Sequence, residues 1–401
     1  MKKLIVGPLK TTQISTLVII DALDECKDEE PASAILSILS CYVDQIPNVK
    51  FFITGRPEPR LHSGFHLVAL QPITEVFKLH DVERSSVDAD IRLFFSTCLA
   101  NIAKHRGLGD EWPSSSDINI LCQKAAGLFI YASTVVKFIS HQCYRPKKRL
   151  TLLVSLPQNT VREGGSGIDT LYTEVLTQAF YDVDLDSLEP DDQEVFCHLR
   201  SVVGAILLVF NPLSTKSLSD LLSGFDTPSD ISTALSSLHS LLLIPDDIED
   251  PIRTFHKSFP DFLTNPERCK DKQFFVDPLV HHREILLSCL NLMKERLKKN
   301  ICNLDDYAVL SEVKDLSDHR KSHIGDALEY ACHFWTRHLA ETPTSGCDTE
   351  EVQEAIDEFF TKCLLFWIEA LTIMGNLDVS VHAINDVQKW YISVSFRDSI
   401  H

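Results

Sequence analysis

No two of the twelve cysteines form a C-x-x-C pair, and none shows metal-ligand spacing. That excludes zinc ribbons and fingers and reads as the reduced thiol set of a cytoplasmic protein. Basic residues are scarce, with 38 Lys and Arg against 57 Asp and Glu and a formal charge of -19. Such a balance argues against a surface that grips nucleic acid or anionic membrane. No apolar run is long enough to span a bilayer. "GLFIYASTVVKFI" (127–139) falls short of the roughly 20 residues required. The opening "MKKLIVGPLK" carries too short an apolar run before Pro8 to read as a secretory signal.

What the sequence has is an ordinary globular composition, 44% hydrophobic and 24% charged over 401 residues. Near its start, "LVIIDALDEC" (17–26) drives an apolar strand into three acids. "TLVIID" (16–21) and "VKFFITG" (49–55) read as strands, and "EEPASAILSILSCYVDQI" (29–46) between them has apolar residues at helical spacing. Strand, helix, strand is a crossover that implies a parallel sheet. "VFKLHD" (76–81) reads as a third strand.

An apolar strand in such a sheet emerges at its carboxyl edge, where these folds bind ligands. Asp21 there is placed to hold a hard cation such as Mg²⁺. Asp24 and Glu25 are placed to orient or deprotonate a water attacking a phosphate. An acidic helix start after a core strand is the plainer alternative. The second strand runs into "FFITGRPEPR", so Arg56 leaves the same edge as Asp21 if the strands are neighbours, with a planar fork suited to phosphate.

Beyond residue 86 the pattern turns helical. "SVDADIRLFFSTCLANIAKH" (86–105) and the region 114–140, broken at Gly127, have apolar positions three and four apart. "QNTVREGGSGID" (158–169) is polar and glycine-rich and reads as a linker. "SLLLIPDDIEDPIRTFHKSF" (240–259) reads as two strands around an acidic turn, which after several short helices suggests a winged-helix-like unit. Its acidic character speaks against DNA binding. From about 279 onward the chain is helical again. Trp335, Trp367 and Trp390 read as packing residues, and the basic runs "RPKKR" (145–149) and "KERLKK" (294–299) as solvated helix ends or loops.

Four stretches, "LVIIDALDEC", "FFITGRPEPRL", "KAAGLFIYAS" and "IRTFHKSFPDFLTNPERC", carry a resemblance in this order. The chain resembles the NLR-like, NACHT-type nucleotide-binding proteins of mushroom-forming fungi, members of the STAND class of P-loop ATPases. "FFVDP" and "ALEYACHFW" extend the likeness over nearly the whole chain. The resemblance implies an incomplete α/β P-loop core over 1–86, a helical lid over 87–157 and a linker at 158–167. A winged-helix-like domain over 168–268 and a helical extension over 269–401 follow. It also implies a molecular switch whose nucleotide, ATP or ADP with Mg²⁺, sits between core, lid and winged-helix unit.

By motif, Asp21 matches the metal carboxylate, Asp24 and Glu25 its acidic followers, and Arg56 the sensor arginine. His256 in "TFHKSF" matches a winged-helix histidine that reaches the diphosphate, a packed wing-end histidine being the alternative. Gly127 and Phe129 fall at a lid motif near the adenine, although the usual proline is missing. The phosphate cradle G-x-x-x-x-G-K-[ST] occurs nowhere in the 401 residues. The expectation is therefore a truncated or degenerate switch with weak nucleotide and Mg²⁺ binding, without ATP hydrolysis of its own. Its partners would be proteins or further copies of itself. The alternative is a non-catalytic helical interaction scaffold.

Overall fold

The structure, a computed structural model, describes residues 6–11, 14–26, 29–56, 70, 73–109, 111–141, 145–157, 167–181, 192–222, 225, 227–305, 309–343 and 349–398. The chain divides into two compact units, Met1–Glu83 and Arg84–His401. The linker expected at 158–167 lies outside the described residues except for Gly167.

In the first unit, after a short helix α1 (Gly7–Thr11), β1 (Thr16–Ile20) and β2 (Val49–Ile53) are parallel, joined through helix α2 (Glu29–Tyr42). Their register runs from Thr16↔Val49 to Ile20↔Ile53. Alternation sends Val18, Ile20, Phe51 and Ile53 to one face, where they pack with Leu23, Leu36, Leu39, Ile46 and Val49. The other face is apolar too. Leu17, Ile19 and Phe52 remain 61%, 64% and 58% exposed, unusual in a parallel sheet, which is normally covered on both sides.

The third strand expected at 76–81 does not form. Lys78 is extended, but the Asp81 amide turns back to its carbonyl and Leu79–Asp81 is a single 3-10 turn. Val76, Phe77 and Leu79 are 66%, 77% and 78% exposed. Branched and aromatic residues favour a strand only when a neighbouring ladder covers them, and no ladder reaches these.

The second unit is helical around one contiguous core. Its first helices are α3 (Arg84–Arg106), α4 (Ser115–Ala125), α5 (Phe129–Ser140), α6 (Pro146–Ser155) and α7 (Gly167–Tyr181). Helix α4 starts at a capping box, the Ser114 hydroxyl accepting the Asp117 amide and the Asp117 carboxylate the Ser114 amide. It stops where Ala126 (φ 49°) and Gly127 (φ 78°) turn left-handed. The positive φ of Gly127 favours glycine; the Arg84 guanidinium also lies against it, but as the end of an exposed, flexible side chain it can move aside. The Lys124 ammonium donates to the Leu153, Val154 and Leu156 carbonyls at 2.6, 2.9 and 2.6 Å, capping α6 from a neighbouring helix.

Helices α8 (Asp192–Leu208), α9 (Thr215–Leu221), α10 (Pro228–Leu235) and α11 (Ser258–Leu263) follow, with the short antiparallel pair β3 (Leu242–Leu243) and β4 (Arg253–Thr254) between the last two. The acidic turn expected around Asp246–Asp250 lies in the connection between these strands. A bidentate pair, Arg268 Nη2 to Asp169 Oδ1 at 2.5 Å and Nε to Oδ2 at 3.2 Å, ties the segment after α11 to the start of α7.

The chain ends with α12 (Pro278–Arg296), α13 (Leu316–His323), α14 (Gly325–Glu341), α15 (Thr349–Lys362), α16 (Leu364–Met374) and α17 (Asp378–Asp398). Trp335, Trp367 and Trp390 are all buried, in line with their helical positions. Trp367 packs edge to face against Trp335 and Phe359, which are tilted against each other, and its indole donates to the Cys332 carbonyl at 2.9 Å. Under this layer, Tyr330 Oη lies 2.7 Å from His338 Nε2, and His338 Nδ1 lies 2.7 Å from His282 Nδ1. The Phe210 amide donates to the same Tyr330 oxygen. Polar groups so deep inside hold because each ring nitrogen in contact has a partner. The described cysteines are free thiols, and burial pushes Cys289 and Cys332 well up.

Helix α8 meets α12 at Gly204, where an added Cβ would lie 2.1 Å from Cδ2 of His281, a ring only 5% exposed. Helix propensity alone would make Gly204→Ala stabilising by up to about 1 kcal/mol. The steric account predicts the opposite sign, a loss of about 1–3 kcal/mol in denaturant unfolding.

Candidate functional site

The carboxyl edge of the β1–β2 pair is built by extending its register one step. The Thr54 amide donates to the Ile20 carbonyl at 2.9 Å, and the Leu23 amide donates back to the Thr54 carbonyl at 2.9 Å. Thr54 thus stands opposite Asp21. Its hydroxyl accepts from the Ala22 amide at 2.8 Å and donates to the Asp21 carboxylate in a short hydrogen bond. Ala22 is left-handed (φ 52°, ψ 50°), an uncommon conformation for a residue with a Cβ. It turns the chain so that Leu23 plugs into the core at 2% exposure and Leu23–Glu25 forms one 3-10 turn.

That turn aims Asp24 at the second strand's exit. Asp24 Oδ1 accepts the Arg56 amide at 3.1 Å, and Oδ2 lies 3.6 Å from Arg56 Nε. The Asp24 side chain is 4% exposed and that of Arg56 41%. Asp21 and Glu25 are exposed. Four of the five residues singled out from the sequence therefore share one sheet edge. Thr54 joins them unanticipated, although the strand register alone would have placed it beside Asp21.

His256 belongs to the second unit, just after β4. The Ser258 amide donates to His256 Nδ1 at 3.1 Å, which assigns the ring proton of the neutral form to Nε2. Ser258 Oγ lies 2.7 Å from that nitrogen and 2.7 Å from Tyr172 Oη, so helix α7 fixes the imidazole through a shared hydroxyl. Burial pushes the Tyr172 phenol up, keeping this link neutral. At the lid motif, Phe129 is 46% exposed and packs edge-on against Phe94 at 6.1 Å.

Among the described residues, no group of three or more His, Cys, Asp or Glu side chains is arranged to hold a metal ion. Asp21 with the Thr54 hydroxyl is not a cage. It fits a Mg²⁺ ion that brings phosphate oxygens and water with it.

No protein-family model matches the chain. No solved structure matches it. Among curated proteins, it is similar to vegetative incompatibility protein HET-E-1 of Podospora anserina, 22% identical over 395 residues. The match covers 93% of this chain and 26% of HET-E-1, so the chain spans about a quarter of that relative's length. This distant likeness supports a relation to fungal NACHT-type STAND proteins. No described helix is long and apolar enough to cross a membrane.

Thr54→Val removes the hydroxyl but keeps the shape, stranding the Ala22 amide and one Asp21 oxygen. Amide hydrogen exchange should speed at Ala22 and Leu23, with about 1–2 kcal/mol of local stability lost. Thr54→Ser should restore most of the protection.

Proposed function

We propose that the chain is part of a NACHT-type STAND signalling switch whose nucleotide chemistry centres on the β1–β2 carboxyl edge. One arrangement carries the reading, the emergence of Asp21, Asp24, Glu25 and Arg56 side by side around Thr54. In this reading Asp21 is the Mg²⁺ carboxylate and Arg56 contacts nucleotide phosphate, while the phosphate role of His256 rests on the motif likeness alone. Asp24 and Glu25 are the acids beside the attacked phosphate, Glu25 being the one open to water. The β3–β4 hairpin with its preceding helices acts as the winged-helix-like unit, and Gly127 and Phe129 belong to the lid. Mg²⁺ supplies charge neutralisation for the phosphates when nucleotide is bound.

A sequence without G-x-x-x-x-G-K-[ST] gives the phosphates no backbone cradle. The chain alone therefore binds ATP–Mg²⁺ weakly and does not hydrolyse it. The exposed Leu17, Ile19 and Phe52 favour association with other proteins or with further copies, which also suits the scaffold alternative. The proposed setting is cytoplasmic signal transduction.

Calorimetric titration with ATP–Mg²⁺ should give a Kd weaker than about 100 μM, less than about 5.5 kcal/mol of binding free energy. At millimolar ATP–Mg²⁺, hydrogen exchange should slow at Ala22–Glu25 and at Arg56, and Arg56→Ala should remove the effect. Protection confined to other segments would contradict the nucleotide reading. Micromolar affinity would contradict the absence of a cradle.

A further inference from the structure

One buried polar arrangement in the second unit has no part in the nucleotide reading. His282 of α12 and His338 of α14 meet Nδ1 to Nδ1 at 2.7 Å, at 7% and 0% exposure. Two ring nitrogens that close share a single proton, so one ring donates and the other accepts. Tyr330 sets the direction. Its oxygen accepts the Phe210 amide at 3.2 Å and lies 2.7 Å from His338 Nε2, its two hydrogen-bonding partners among the described residues. Burial pushes the Tyr330 phenol well up, so the hydroxyl keeps its proton and donates it to His338 Nε2. His338 therefore carries its own proton on Nδ1 and passes it toward His282 Nδ1. From Phe210 to Tyr330, His338 and His282, each group donates to the next.

A further proton has no place in this row. On His282 Nδ1 it would face the His338 N–H across 2.7 Å. If His338 gave way by moving its proton to Nε2, the Tyr330 hydroxyl would lose its acceptor. Either course breaks a buried hydrogen bond and leaves a cation in the core. The Phe210 ring, stacked on His282 at 5.9 Å and tilted on His338 at 4.7 Å, already carries the Arg337 guanidinium 4.1 Å over it. Arg283 adjoins His282 in the sequence, another positive charge. Cys289 of α12, beside Tyr330, is a thiol that burial keeps protonated. Other charged and titratable groups on the elements packed here are engaged elsewhere. His281 faces α8 at Gly204, and on α8 His198 lies against Phe225 and Arg200 beside Leu176 and Phe274. Lys294 pairs with Glu358 of α15, Arg296 with Asp220 of α9, and Lys216 of α9 with Glu249. On α14, Glu329 holds Arg320 and His333 meets Asn376, while on α17 Lys389 holds Asp386.

We propose that this row is an acid-operated latch, which holds α12, α14 and the connection at Phe210 together while both imidazoles are neutral and releases them when protons bind. The sign follows from proton counts. Free imidazoles take up protons near about pH 6.5 and the closed pair takes up none, so the released state binds more. The latch is therefore fully closed above that pH and loses its hold as pH falls below it. With two imidazoles, the opening equilibrium rises by up to about a hundredfold per pH unit below about pH 6. Only residues of the second unit take part, so the inference is independent of the nucleotide reading at the β1–β2 edge.

The test is nuclear magnetic resonance of the full, unaltered chain labelled with nitrogen-15 at histidine. Near neutral pH, a scalar coupling is expected across the hydrogen bond between the two Nδ1 atoms, with the His338 proton on Nδ1 and the His282 proton on Nε2. As pH falls, both rings stay neutral in the closed form. Hydrogen exchange of α12 and α14 amides, corrected for its intrinsic pH dependence, should report opening that rises more than about tenfold from about pH 7 to 5.5. Tyr330→Phe keeps the ring and frees His338 Nε2. His338 should then take up a proton at higher pH than in the unaltered chain, and opening should rise less steeply with acid, by about tenfold per pH unit instead of a hundredfold. His382→Gln, an exposed control on α17, leaves both readouts unchanged. An acid response driven by His281 would pass through Tyr330→Phe unaltered and would count against the proposal. Absence of the coupling, titration of either ring near about pH 6.5 with the native spectrum intact, or opening that ignores pH would each overturn it.

Discussion

The site depends on a constraint of register. Because Ile20 pairs with Ile53, the next residue of each strand must meet across the sheet edge, and those residues are Asp21 and Thr54. A slip of one position would turn every side chain of one strand to the opposite face and separate the acid from the hydroxyl. The register is held from below by the inward residues Val18, Ile20, Phe51 and Ile53 against α2, so the packing of a small core sets the geometry of the polar edge. Leu23 extends that control into the turn. By burying itself it fixes the 3-10 turn that brings Asp24 to Arg56.

The same arithmetic separates what the sequence disclosed from what it did not. The crossover was visible because "TLVII" and "VKFFI" are short, branched and aromatic, and an amphipathic helix lies between them. "VFKLHD" has the same composition and formed no strand, since composition reports suitability for a ladder and not whether a ladder is present. Asp21, Asp24, Glu25 and Arg56 stood out as charges at strand ends. Thr54 passed unnoticed because a polar residue after a strand looks like a terminator. The buried contact of His282 with His338 joins positions 56 residues apart and left no local signal. Arg149 looked solvated in a basic run, yet its guanidinium finds a ring and a carbonyl.

The functional reading follows from this unequal distribution of order. The edge has an organised set of acids and a guanidinium, yet no phosphate cradle in the sequence to complete it. One face of the sheet is packed and the other presents Leu17, Ile19 and Phe52 to solvent. Both features underlie the proposal of a nucleotide at the edge and a protein partner on the open face. The helical unit is better finished, with Ser114 capping its own helix, Lys124 capping a neighbouring one, and an aromatic layer built on Trp335 and Trp367.

The most direct measurement of the central claim is a double-mutant cycle between Asp24 and Arg56, read as the unfolding free energy of the first unit with each changed to Ala singly and together. Shared placement on one edge predicts a favourable coupling of about 0.5–1 kcal/mol, modest because Arg56 is partly exposed. Strict additivity of the two single changes would mean that the carboxylate and the guanidinium do not meet, and the site described here would not exist.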